Sequence, residues 1–102
     1  MNSPKLRVGI AGYGTVGKLR HRVVDLHPNL RTVAVCDQSF TSETTGSEGL
    51  RCFSNYQQLL NEPLDVLFVC LPNRLAPEAT IAGLEHGLHV FCENPPGRLL
   101  ED

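Results

Sequence analysis

The sequence predicts an α/β domain built on an open, doubly wound parallel sheet. Three observations carry that reading. Apolar strand-like runs alternate with helix-like segments along the chain. The first run, Leu6 to Ala11, passes into a glycine-rich turn, Gly12-Tyr13-Gly14-Thr15-Val16-Gly17. A second apolar run ends on one carboxylate, Asp37, twenty positions after Gly17.

The elements follow in order. Strand one, Leu6 to Ala11, is almost continuously apolar apart from Arg7, as a buried parallel strand is. Helix one is expected from Thr15 to His27, with Val16, Leu19, Val23 and Leu26 on one face and Pro28 stopping it. Strand two is Thr32 to Cys36. Residues 38–49 are polar, with Ser, Thr and Gly, and predict a loop or one short helical turn. Strand three is short, Leu50 to Phe53. A short helix follows at Tyr56 to Asn61, with Ser54 and Gln57 in capping-box spacing and Pro63 beyond it. Strand four is Asp65 to Leu71. A third helix starts near Pro77, carries Ile81, Leu84 and Leu88 on one face, and ends at Gly87, a residue suited to a left-handed cap. Strand five is His89 to Cys92. Right-handed crossovers then give the strand order 3-2-1-4-5, a Rossmann-like arrangement.

Bulk properties narrow the function classes. A chain of 102 residues is one domain, 1–102. Nine basic against eleven acidic residues give a net charge of −2, and no basic stripe suggests a nucleic-acid surface. No apolar run approaches the roughly 20 residues that span a bilayer. Met1 to Lys5 leads straight into a strand without the apolar stretch of a signal peptide, so a cytoplasmic location is expected. Cys36, Cys52, Cys70 and Cys92 contain no CxxC spacing and read as small buried hydrophobes, not metal ligands. His89 reads as a core histidine; His21, His27 and His86 read as solvated helix residues.

The glycine turn carries the chemistry. Gly12 makes the tight turn, Gly14 lets the backbone approach a pyrophosphate, and Gly17 lets the helix pack against the sheet. The helix N-terminus, from Tyr13 through Thr15 and Val16, presents free N–H groups to an anion. Asp37 is placed to accept hydrogen bonds from an adenosine ribose. That carboxylate would repel a 2′-phosphate, which favours NAD over NADP. Gln38 and Ser39 supply no compensating arginine, and Arg74 is the one candidate cation. Two other readings stay open at this point: S-adenosylmethionine as the ligand, and a glycine turn with no ligand.

The second half carries a resemblance. Pro72-Asn73, a helix ending at Gly87, His89-Val90, and Glu93-Asn94-Pro95 are similar to the motifs of the Gfo/Idh/MocA oxidoreductase family. The family form is a Pro-Asn turn, a histidine three residues later, then His-Val and Glu-Lys-Pro. The resemblance implies an NAD- or NADP-dependent dehydrogenase of sugars, inositols or related polyols. It implies that Leu71, Pro72 and Asn73 line the nicotinamide ribose, and that Glu93 and Pro95 lie beside the nicotinamide. A cis Asn94–Pro95 peptide is also implied. The family pairs this domain with a C-terminal α+β domain, so the chain is expected to be the dinucleotide-binding part of a two-domain protein. A homo-oligomer is left open.

Two positions depart from the family. Asn94 stands where the motif has its lysine, and asparagine cannot serve as a general acid or base. Ala76 stands where the histidine is usual. No catalytic residue is therefore assigned, and a non-catalytic dinucleotide-binding or regulatory module is the alternative. A methyltransferase-like domain is the remote one, because it has no use for a Glu-x-Pro turn after strand five.

Overall fold

In a computed structural model, residues 5–40, 44–46, 49–72 and 74–93 are described. These residues form six strands and three helices, in the order β1 (Leu6–Ala11), α1 (Thr15–Leu26), β2 (Leu30–Cys36), β3 (Thr44–Thr45), β4 (Arg51–Phe53), α2 (Tyr56–Leu59), β5 (Val66–Val69), α3 (Ala76–Glu85) and β6 (His89–Cys92). The sheet order is β3-β4-β2-β1-β5-β6. Its five parallel strands have the expected 3-2-1-4-5 order. The difference is β3, two residues antiparallel to β4 at the sheet edge, within the segment expected as loop or helical turn. Gly46 N–H donates to the Leu50 carbonyl at 2.6 Å and closes that hairpin.

Alternation of side chains across the pleat divides the core into two layers. Ala11, Ala34, Cys36, Leu67 and Val69 face α2 and α3, where Leu59, Leu60, Ala76 and Ala79 meet them. Val8, Ile10, Val35 and Val66 face α1, where Val24 meets them. Arg7, the polar break in β1, is answered by Asp65. The Asp65 carboxylate accepts from the Arg7 backbone N–H at 2.8 Å and from its guanidinium Nε at 3.1 Å. That fork ties the lower end of β1 to the start of β5.

Several expectations about helix faces are corrected. Val16, Leu19, Val23 and Leu26 do not form the buried face of α1; all four are exposed, Leu26 by 84%. The helix instead turns Gly17 and Val24 to the sheet, because the side-chain-free Gly17 permits the closest approach. In α3, Ile81 and Leu84 are exposed, and the small residues Ala76, Ala79 and Gly83 are buried. A Cβ on Gly83 would stand 2.8 Å from Leu67 Cδ2, so small size decides that face. The cap of α2 is Asn55, whose side chain accepts from Gln58 N–H at 2.9 Å; Ser54 donates to the Gln58 side chain instead. Asparagine competes well for this role, so a neighbouring serine does not decide it. Only Cys36 and Cys52 are buried; Cys92 is exposed, and so is His89, because β6 is an edge strand. Gly87 takes φ 78° after α3, as expected of a left-handed terminus.

Leu67 is fully buried between β1 and α3. Leu67→Ala is expected to cost about 2–5 kcal/mol, a large share of the stability of a small domain. Urea unfolding followed by circular dichroism measures it.

Candidate functional site

The carboxyl ends of the strands are stitched together by backbone bonds. Cys70 N–H donates to the Ala11 carbonyl at 2.7 Å, Gly12 N–H to Cys36 at 2.9 Å, and Asp37 N–H to Phe53 at 3.0 Å. These bonds bring the glycine turn, the tip of β2 and the exit of β5 to one edge of the sheet. A groove of about 600 Å³ opens there, lined by Gly12, Gly14, Asp37, Leu71, Pro72 and Arg74 among others. Its volume is in the range of small-molecule sites.

Two glycines shape the turn. Gly12 has φ 97°, and a Cβ there would stand 2.5 Å from the Cys70 carbonyl oxygen. A Cβ on Gly17 would stand 2.0 Å from the Gly12 carbonyl oxygen. The turn and the first turn of α1 are therefore in backbone contact. Gly14 differs: an added Cβ would meet nothing within 4 Å. Its open side belongs to the groove.

Gly14 is the N-cap of α1 and has no side-chain cap. The first helical bond is Lys18 N–H to the Gly14 carbonyl, at 2.9 Å. The N–H groups of Thr15, Val16 and Gly17 precede it and have no partner within the helix. The first turn holds no acidic residue, so nothing in it opposes an anion.

Asp37 is oriented by the protein. Its Oδ1 accepts from Tyr13 N–H at 2.9 Å. Its Oδ2 accepts from Ser39 N–H at 3.1 Å and from Ser39 Oγ at 2.6 Å. Burial pulls its pKa upward, but the hydrogen bonds from Ser39 and Tyr13, with the charge of Lys18, outweigh it and hold the carboxyl below 3.8. Oδ2 is filled by these two bonds, and Oδ1 keeps a further lone pair for a ligand hydroxyl.

The sequence-selected residues divide into groups. Gly12, Gly14, Asp37, Leu71 and Pro72 line the groove together. Tyr13 contributes its backbone N–H to Asp37, while its ring lies against α1. Thr15 and Val16 are exposed on the first turn of α1, and Gly17 is buried beneath it. Glu93 does not line the groove; its carboxylate pairs with Arg20 of α1 at 2.5 Å. Asn73, Asn94 and Pro95, with the Asn94–Pro95 peptide, lie outside the described residues. The sequence reading missed the opposite wall: Asn55, Tyr56, Gln57 and Glu78 also line the groove. Tyr56 Oη donates to Glu78 at 2.9 Å and bridges α2 to α3. No signal in the sequence links those two residues, which are twenty-two positions apart. His21, expected to be solvated, is half-buried, with Nδ1 hydrogen-bonded to the Tyr13 hydroxyl and Nε2 3.1 Å from the Asp25 carboxylate.

A parallel sheet with a groove over its carboxyl edge, a glycine turn, a free helix N-terminus and a fixed acid after the second strand defines a Rossmann-type dinucleotide-binding domain. The chain belongs to the Gfo/Idh/MocA family, the oxidoreductase family with an NAD-binding Rossmann fold, whose pattern matches residues 6–102. It is 39% identical over 101 residues to D-glucoside 3-dehydrogenase of Escherichia coli, covering 94% of this chain and 29% of that protein. It is 31% identical over 100 residues to 2,7-anhydro-N-acetylneuraminate hydratase of the same organism, covering 95% and 26%. Among solved structures it resembles the WlbA dehydrogenase of Bordetella pertussis in complex with NADH and UDP-GlcNAcA, with TM-score 0.74 and 25% identity over 93% of this chain and 29% of that one. The chain thus spans less than a third of the length of the relatives it matches.

The glycines separate fold from ligand. Gly12→Ala is expected to destabilise the domain by about 1–3 kcal/mol through overpacking and strain. Gly14→Ala is expected to cost at most about 1 kcal/mol, the worth of an N-cap residue, and to weaken dinucleotide binding at least tenfold, because its methyl enters the groove. Thermal melts and titration calorimetry on the two variants check both.

Proposed function

We propose that the groove holds NAD(H), and that the protein uses it to oxidise or reduce a sugar, inositol or related polyol by hydride transfer. The carrying observation is that an uncapped helix N-terminus and an oriented carboxylate flank one groove. Gly12, Gly14 and Gly17, with the N–H groups of Thr15 and Val16, would hold the pyrophosphate, while the Tyr13 N–H stays on Asp37. Asp37 Oδ1 would accept an adenosine ribose hydroxyl. Leu71, Pro72 and Asn73 would line the nicotinamide ribose, with Pro95 beside the ring; Glu93, which the family motif would also set there, is paired with Arg20 outside the groove. Bound nicotinamide supplies or accepts the hydride; the residues named here bind and orient it.

Asp37 disfavours a 2′-phosphate, so NAD is the preferred form. Arg74 lines the groove from the β5–α3 turn, and it is the cation that offsets this repulsion if NADP is used. A second reading, a dinucleotide-binding module without redox turnover, draws on Asn94 and Ala76 at the positions of the family lysine and histidine. A cytoplasmic location without nucleic-acid partners belongs to the same proposal.

Calorimetry with NAD, NADP and S-adenosylmethionine tests the ligand. NAD is expected to bind more tightly than NADP, and S-adenosylmethionine not at all; silence with both dinucleotides at millimolar concentration would end the cofactor reading. Absorbance of NADH in the presence of sugars and polyols tests the reaction, and binding without turnover favours the second reading. Asp37→Ala is expected to lose about ten- to hundredfold in NAD affinity, the usual worth of bonds to a charged acceptor.

The pH dependence has a definite sign. The folded carboxyl of Asp37 titrates below 3.8, so its contribution to stability and to ribose binding is complete above that value and is lost as pH falls through the lower folded pKa. The affinity for NAD is expected to persist unchanged from neutral pH to about pH 5, whereas that for NADP also follows the 2′-phosphate, whose second proton binds at about pH 6. Calorimetry with NAD at both pH values checks it, and an NAD affinity already halved at pH 5 contradicts an ionised Asp37.

A further inference from the structure

A chain of polar contacts, three hydrogen bonds and one ion-pair contact, runs around α1 and returns to Asp37. Asp25 Oδ1 accepts from the Thr32 backbone N–H at 2.9 Å, which ties the last turn of α1 to β2. The other oxygen of Asp25 is 3.1 Å from His21 Nε2, one helical turn back. His21 Nδ1 is 2.6 Å from the Tyr13 hydroxyl. Tyr13 N–H then donates to Asp37, at the far end of β2.

The donors can be assigned in order. A carboxylate only accepts, so Asp25 at 3.1 Å favours the tautomer with the proton on His21 Nε2. Nδ1 of that tautomer is an acceptor, and the Tyr13 hydroxyl donates to it. Burial pushes the Tyr13 pKa up, with the charge of Asp25 as a lesser cause, which keeps that hydroxyl protonated. The ring of Tyr13 is further held against Phe40, on the segment after Asp37, with centroids 6.4 Å apart.

We infer that Tyr13, His21 and Asp25 form a positioning relay that holds the Tyr13 backbone N–H on Asp37 and so sets the discrimination between ribose 2′-hydroxyl and 2′-phosphate. This rests on the NAD reading above. The physical reason is leverage. Gly12 and Gly14 flank Tyr13 and leave the turn without other side chains to fix it. The tyrosine ring is the one anchor between them, and His21 holds its far end. Loss of that anchor frees the N–H that orients the carboxylate. Three residues that touch no ligand would then govern nucleotide choice.

The relay is tested by calorimetry with NAD and NADP on the whole chain and its variants. Tyr13→Phe removes only the hydroxyl, and His21→Leu removes its acceptor. Each is expected to lower the ratio of NAD to NADP affinity about three- to tenfold, the worth of one hydrogen bond. The double variant is expected to lose no more than either single one, since both break the same link. His21→Asn restores an acceptor near the position of Nδ1, and the ratio is expected to return toward that of the parent. A ratio unchanged in both single variants, or losses that add in the double, overturns the relay while leaving NAD binding intact. Silence of the parent protein with both dinucleotides instead overturns the cofactor reading, and the relay with it. A common loss of affinity for NAD and NADP at constant ratio marks a merely structural role and also overturns it.

Discussion

The ligand edge of this domain depends on one steric fact. The α-carbon of Gly17 lies so close to the Gly12 carbonyl that no side chain fits between them. This contact drives the start of α1 down onto the glycine turn and aims its unpaired N–H groups over the edge of the sheet. It also explains why α1 buries Gly17 and Val24 rather than its row of larger apolar residues. Rotating the helix to bury Leu19 and Val23 would lift its N-terminus away from the turn. Packing area is thus given up on one face in favour of anion-facing geometry at one end.

The two layers of the sheet follow from this asymmetry. The face under α2 and α3 is filled by Leu59, Leu60, Leu64 and the small residues of α3. Among the described residues the other face has α1 alone, and the stacked rings of Phe68 and Phe91 lie beyond it, with Phe91 57% exposed. Arg20 reaches from α1 across that face to Glu93. The pair joins the helix to the last described residue after β6, at a third exposure for each side chain, where ion pairs contribute modestly to stability. Its effect is better read as orientation: it fixes where the chain leaves the sheet.

The sequence made the strand succession, the parallel order and the groove legible, because continuous apolar runs and the glycine spacing are local signals. Gly12, Gly14, Asp37, Leu71 and Pro72 do converge. Helix faces were less legible. Periodicity finds an apolar row but cannot tell that Ala79 and Gly83, by being small, win the sheet-facing side from Ile81 and Leu84. The β3–β4 hairpin was hidden because two residues carry no alternation. The wall made by Tyr56 and Glu78 was hidden because long-range hydrogen bonds leave no spacing to read. His21 looked solvated for a related reason: Tyr13 becomes its neighbour only once the turn folds back on the helix, although the i,i+4 spacing to Asp25 is a local signal.

Both oxygens of Asp37 are engaged by the protein, so the cost of immobilising this group falls on folding rather than on ligand capture. Local loosening of the segment after β2 then returns that entropy to the free state. On warming, the groove would lose its grip on the nucleotide some degrees before the sheet melts, and recognition would fade by softening rather than by collapse.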